Sequence, residues 1–217
     1  MTQQKFGVSG SALKCIAMAS MLTDHIGYVL FPQYLILRMI GRLAFPIYCF
    51  LLVEGAMHTG NIRKYEIRLL AFALISELPF DYAFYGGIRW ESQNVFFTLL
   101  FGVLAIDLAQ QSKNKLMVGL IFVLMVAAAE VMGTDYGGAG IVFIFCYYLL
   151  YDRKIWKQII FAAENLVLYG VGIQACATFA VVPMLLYNGK KGASVKYLFY
   201  AFYPAHLLIL YLIIRMR

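Results

Sequence analysis

The sequence predicts an all-α fold: a polytopic integral membrane helical bundle of about 8–10 transmembrane helices, forming one domain over residues 1–217. Three observations predict it. Apolar residues make up 63% of the chain, charged residues 13%, and mean hydropathy is +0.77, whereas a soluble domain is nearer half apolar and a quarter charged. The apolar residues gather into runs of roughly the 20 residues that cross a bilayer, separated by short polar connectors. Lys and Arg alternate between those connectors, which is the signature of a multi-pass chain with its basic loops on the cytoplasmic side.

The elements follow in order. The opening stretch MTQQKFGVSGS lacks a signal-peptide cleavage signature, so the first helix, Ala12 to Phe31, is expected to stay as a span. A second span is expected from Tyr34 to Met57, a third from Leu69 to Phe84 and a fourth from Asn94 to Ala109. The fifth runs from Leu116 to Met132, and the glycine-rich turn GTDYGGAG leads to a sixth, Ile141 to Tyr151. The seventh (Ile159 to Val171) and eighth (Ala175 to Tyr187) are short, and the last runs from Tyr197 to Ile214. Alternate connectors hold Arg63, Lys64, Arg68; Lys113, Lys115; Arg153, Lys154, Lys157; and Lys190, Lys191, Lys196. The others hold Arg89 with Glu91, and Asp135. This places the N-terminus in the cytoplasm, although nine spans would leave Arg215 and Arg217 outside, against the rule.

Function is expected where ionisable residues fall at membrane depth, because such groups are costly and face a protein interior or a watery cavity. The first helix holds Lys14, Asp24 and His25. Eleven residues at about 100° each bring Lys14 and His25 to within about 20° of one face, roughly 16 Å apart along the axis. An imidazole with a pKa near 6.5 is suited to general-base work. Asp24 points about 100° away from His25, so its partner is expected on another span, such as Arg42. Arg38 and Arg42 stand one turn apart on the second span, as Glu77 and Asp81 do on the third. His206 follows the aromatic run FYAFYPAHLL on the last. Pairing of these acids and bases to hold helices together stays open beside a polar cavity. Glu54, Glu130 and Glu164 are weaker candidates, and Asp107 lies near the end of the fourth span. The four cysteines, Cys15, Cys49, Cys146 and Cys176, lack metal or redox spacing and read as buried small hydrophobes, and no metal site is expected. The net charge of +7 comes with no basic domain, so nucleic acid is excluded as a partner.

The segments LKCIAMASMLTDHIG, GRLAFPIYCFLLVEG, LLAFALISELPFDY, NVFFTL and KYLFYAFYPAHL together resemble the TraX family, whose founder is the conjugative F-pilin acetylase. The Lys–ten residues–His spacing of Lys14 and His25 is similar to a signature of the transmembrane acyltransferase superfamily. The resemblance implies acetyl-CoA, or another acyl-CoA, as the donor, reached from the cytoplasm. It implies His25 as the catalytic histidine and Lys14 as the basic residue of the motif, with Arg42 and Glu54 as candidates in a second block. Within that expectation Asp24, Arg42, Glu77, Asp81 and His206 join His25 in the catalytic set. Arg38, Lys190 and Lys191 join Lys14 on the donor. Plain topology determination stays open for the loop lysines.

The expected function is therefore an integral membrane acyltransferase of a bacterial cytoplasmic membrane, passing an acyl group to a peptide, glycan or small-molecule acceptor. Its partners are acyl-CoA and the lipid bilayer, with homo-oligomerisation open. The rivals are a small transporter or channel and a non-enzymatic assembly factor for a pilus or envelope complex.

Overall fold

The computed structural model describes residues 7–193 and 196–216. Segment 1–6 and Arg217 lie outside it, as does the side chain of Lys196. Helix starts fall where short polar side chains can take the orphan amides of a first turn. Ser9 accepts from the Ala12 amide to open α1 (Gly10–Val29), and Asn61 accepts from Lys64 to open α4 (Ile62–Tyr85). Asn94 accepts from Phe96 to open α5 (Val95–Gln111), and Asn114 accepts from Leu116 to open α6 (Lys115–Val131). Gly86, at φ +73°, closes α4 in the left-handed region that glycine enters without cost.

The second expected span is not continuous. It divides into α2 (Leu35–Gly41) and α3 (Ala44–His58). Pro46 has no amide proton to donate back to Arg42, and the Ser20 hydroxyl of α1 donates to the carbonyls of Ile40 at 2.7 Å and Gly41 at 3.1 Å. The helix therefore stops and restarts at Arg42 and Leu43. The third helix is longer than expected, because residues 62–68 of the supposed connector are already helical.

The remaining elements are α7 (Gly137–Leu149), α8 (Trp156–Tyr169), a 3₁₀ helix (Ile173–Ala180), α9 (Val181–Leu185) and α10 (Lys196–Arg215). The expected eighth span is thus a short broken segment. Among the described residues there is no strand, only the isolated bridges Val8–Tyr187 and Gln93–Thr134.

The chain is all-helical. Among the described residues two stretches suffice, by length and composition, to cross a membrane: Leu35–His58, taken across its break, and Tyr197–Arg215. Val95–Gln111, Gly137–Leu149 and Ile173–Leu185 are apolar but shorter. Helix α1 packs on α2, α3 and α10, while α4 packs on α5 and α10. One core runs through this group and α7, from Leu13 and Ala17 to Phe50, Phe80, Phe143 and Leu207.

Candidate functional site

Close approach of α1 and α2 begins the site. A Cβ on Gly27 would meet Leu37 at 2.6 Å, and one on Gly41 would fall on the side chain of Asp24. With neither present, Asp24 reaches both arginines of the neighbouring helix. Arg38 Nη1 donates to Asp24 Oδ2 at 2.8 Å, Arg42 Nε donates to Oδ1 at 3.2 Å, and Arg42 Nη2 pairs with Oδ2. Arg42 Nη1 also donates to Gln174 at 3.3 Å. A carboxylate gripped by two guanidinium forks is held by charge-assisted bonds in a fixed geometry.

His25, one residue on, turns toward α10. Its Nδ1 lies 2.7 Å from Nε2 of His206, with the two rings 5.0 Å apart and nearly parallel. Nδ1 of His206 lies 2.7 Å from the Phe202 carbonyl, and the residue is only 4% exposed. Phe84 and Tyr203 set ring edges against His25 at 5.1 and 6.1 Å.

Two cavities flank this arrangement. One of about 210 Å³ is lined by Asp24, His25, Arg38, Arg42, Asp135 and Tyr136 among others. The other, of about 600 Å³, is lined by Lys14, Glu54, His58, Arg68 and Lys191 together with Leu51, Leu52, Leu69 and several aromatic rings. Met21, Tyr48, Val95 and Tyr203 line both, so these four residues are their common wall. Lys14 and His25, in phase on one helix, thus face two chambers on either side of one partition. Lys14 Nζ stands 5.2 Å from the centre of the Phe199 ring.

The α6–α7 turn closes the smaller chamber. The Asp135 amide donates to Gln93 at 2.8 Å, and the Thr98 hydroxyl donates to the Asp135 carbonyl. Enclosure of the turn pushes the Asp135 carboxyl up to about 6, against the opposing pull of Arg42. Tyr136 follows at φ +69°, a left-handed conformation that costs about 1–3 kcal/mol for a residue with a Cβ, and its ring stacks 3.6 Å from Phe45.

The structure separates some residues that the sequence groups together. Glu77 accepts from the side chain and backbone of Asn94, and Asp81 accepts from the Arg89 amide at 3.0 Å. Both fasten the α4–α5 connection and line neither chamber. Arg38 sits with Asp24 in the smaller chamber and not with Lys14. Of the two loop lysines only Lys191 lines the larger one; the Lys190 amide is held by Asn188. Glu54 belongs to the larger chamber, where it lies 3.9 Å from Lys157, and is apart from Arg42. Glu130 caps the start of α7 through the Gly138 amide at 2.8 Å. Asp107 lies 3.5 Å from Arg63, and Glu164 accepts from Cys146. The cysteines are free, but Cys49 alone is fully buried and Cys15 is exposed, so burial does not account for the four together. No group of three His, Cys, Asp or Glu residues among the described residues is placed to hold a metal ion.

Sequence reasoning did not find Gly41, Tyr203, Met21 or Asp135 as site residues. Gly41 beside Arg42 and the apolar Met21 in phase with Lys14 were the signals available.

Comparison with known proteins agrees with the extent of the fold. The profile of the TraX protein family matches residues 9–214. A probable fimbrial assembly protein, FimC of serogroup H1, from Dichelobacter nodosus is 32% identical over 93% of this chain and 94% of its own length. Protein TraX from Escherichia coli strain K12 is 24% identical over 91% of this chain and 84% of its own. A second Escherichia coli Protein TraX is 26% identical over 84% of this chain and 68% of its own. No solved structure matches. With a profile match that takes in the helix of Lys14 and His25 at one end and that of His206 at the other, the chain belongs to the TraX family.

Proposed function

We propose that this chain is a multi-pass integral membrane acyltransferase of a bacterial cytoplasmic membrane, with its N-terminus cytoplasmic. It takes an acyl group, acetyl first of all, from acyl-CoA and passes it to an amine or hydroxyl acceptor within or beyond the membrane. The observation that carries this reading is the partition: Lys14 faces the larger chamber, His25 the smaller, and the two chambers meet at Met21, Tyr48, Val95 and Tyr203. The pantetheine arm of coenzyme A is about as long as the roughly 16 Å that eleven helical residues span.

Each chamber suits one end of that donor. Lys14, Arg68 and Lys191 offer charge-assisted donors to phosphates, and the apolar wall between them accepts the arm. A volume of about 600 Å³ is within the usual range of ligand sites. The smaller chamber, with its charged lining, has room for a short acyl group and an acceptor atom. There His25 takes the proton of the acceptor as the acceptor's lone pair attacks the thioester carbonyl. The C–S bond then breaks and the CoA thiolate leaves. Asp24, held by Arg38 and Arg42, keeps α1 and α2 in register beside the reaction.

Membrane residence is supported by α6. Of its seventeen residues only Ala129 is buried, while Leu116, Leu120, Val123 and Leu124 are exposed. Val118, Ile121, Phe122 and Met125 lean on α5 and α7, and the apolar face left bare beyond them is suited to lipid.

The test is direct. Purified protein in detergent, given radiolabelled acetyl-CoA and bacterial membrane extract, is expected to yield a labelled product, and H25A protein about 10²–10⁴-fold less. Folded wild-type protein that transfers no label to any acceptor fraction overturns the reading. The name of the Dichelobacter nodosus relative, a probable fimbrial assembly protein, favours a second reading as a non-enzymatic pilus assembly factor. Full pilus assembly in cells carrying H25A would establish that reading instead.

A further inference from the structure

The acyltransferase reading needs His25 to hold an unprotonated nitrogen in the smaller chamber, and a neutral imidazole has two tautomers to choose between. Nothing on α1 makes the choice. Asp24 is taken up by Arg38 and Arg42, and the edges of Phe84 and Tyr203 offer no acceptor. The choice lies on α10.

The derivation starts from a group with no freedom. A carbonyl only accepts, so the 2.7 Å contact between the Phe202 carbonyl and His206 puts a proton on Nδ1 of His206. With that ring neutral, its Nε2 carries a lone pair. The 2.7 Å contact from this atom to His25 then requires the proton to be on Nδ1 of His25. The remaining nitrogen of His25, Nε2, is left as the base.

We propose that His206 is the positioning residue of this site: it accepts the Nδ1 proton of His25 and so presents His25 Nε2, unprotonated, to the smaller chamber. This inference rests on the acyltransferase reading for its purpose but not for its geometry. The pair is a brace and not a wire. The proton on His206 Nδ1 is held to a carbonyl that cannot take it, so no proton leaves by that route. The proton that His25 Nε2 takes from the acceptor therefore returns from Nε2 to the departing CoA thiolate, and both imidazoles end as they began. A ligand held in its tautomer by a second-layer partner is the same device that orients metal-binding histidines, where losing the partner costs about 10- to 100-fold.

The experiment is nitrogen NMR of ¹⁵N-histidine-labelled full-length protein in lipid nanodiscs without substrate. His25 is expected to show a protonated Nδ1 and an unprotonated Nε2. H206A should replace that pattern with a mixture of tautomers. H206Q, whose amide oxygen reaches the place of Nε2, should keep it. In turnover, H206A is expected to lower kcat by about 10- to 100-fold with KM for acetyl-CoA nearly unchanged, and H206Q to recover part of the loss. A wild-type spectrum with the proton on Nε2 of His25 overturns the proposal, and that spectrum decides the matter even if H206A does not fold. An H206A spectrum identical to wild type overturns it equally. Because the spectrum needs no turnover, correct tautomers in a protein without transferase activity would sink the enzyme reading alone.

Discussion

The two chambers are built on the same helix yet differ in how their charges balance. Around the smaller one, Arg38 and Arg42 meet Asp24 and Asp135, two cations to two carboxylates, with Asp24 held by both arginines at hydrogen-bond distance. Around the larger one, Lys14, Arg68 and Lys191 meet Glu54 alone, and Glu54 lies within reach of Lys157 as well. Balanced, interlocked charge makes a rigid frame in which a neutral base can be aimed. Surplus positive charge over an apolar wall suits a polyanion with a greasy arm. On the acyltransferase reading, chemistry and capture are thus divided along α1, with Met21 between them.

That division can be broken from either side. The largest effect is expected for H25A: a fall in transfer of about 10²–10⁴-fold, with coenzyme A binding by calorimetry kept. Loss of both together would mean that the histidine holds the fold and not the reaction. Next comes D24N, which leaves Arg38 and Arg42 without their carboxylate. Breaking a buried pair from one side costs about 3–5 kcal/mol, to be read as a lower melting temperature in detergent; an unchanged melt would show that the frame carries no strain from its charges.

Lys14→Ala should act on the other chamber. Losing one charge-assisted phosphate contact, worth about 1.5–3 kcal/mol, weakens coenzyme A binding by roughly 10- to 100-fold, while kcat at saturating donor stays close to wild type. A drop in kcat with unchanged affinity would erase the distinction between capture and chemistry. The smallest catalytic effect is expected for E77Q. Its partner Asn94 belongs to the α4–α5 connection, so the rate at saturation should stay within about threefold, as for changes away from a reacting centre. A loss as deep as that of H25A would bring Glu77 back into the site.

What was legible in the sequence followed local rules. Helical phase put Lys14 and His25 on one face, and the 100° offset sent Asp24 toward Arg42; both are properties of a single helix. The fourth expected span began at Asn94, which is the cap of α5, whereas the cap of α4 at Asn61 lay inside the expected connector. Pro46 was a visible reason for a break before α3, but the overall length of the apolar stretch from Tyr34 to Met57 concealed it. Glu77 and Asp81 share a face one turn apart as a catalytic pair would, and only the position of Asn94 and Arg89 shows that they serve a connection. The partners of Arg38 depended on α2 being a separate short helix. His206 is 181 positions from His25, and no period within a helix reports a contact across such a span.

That distance sets an order of events in synthesis. Val8 and Ser11, at the head of α1, bond the backbone at Leu186 and Lys191, and His25 bonds a ring on α10. Until the ribosome has made residues 186–206, the first helix lacks these partners. Nascent chains emerge at about 5–20 residues per second, so for roughly ten seconds or more the cell holds a fragment that has His25 but not the ring proposed to aim it. On the acyltransferase reading, a chain stalled or clipped before α10 would lack the ring that aims its base. Activity therefore reports on the completion of a polypeptide as much as on its presence.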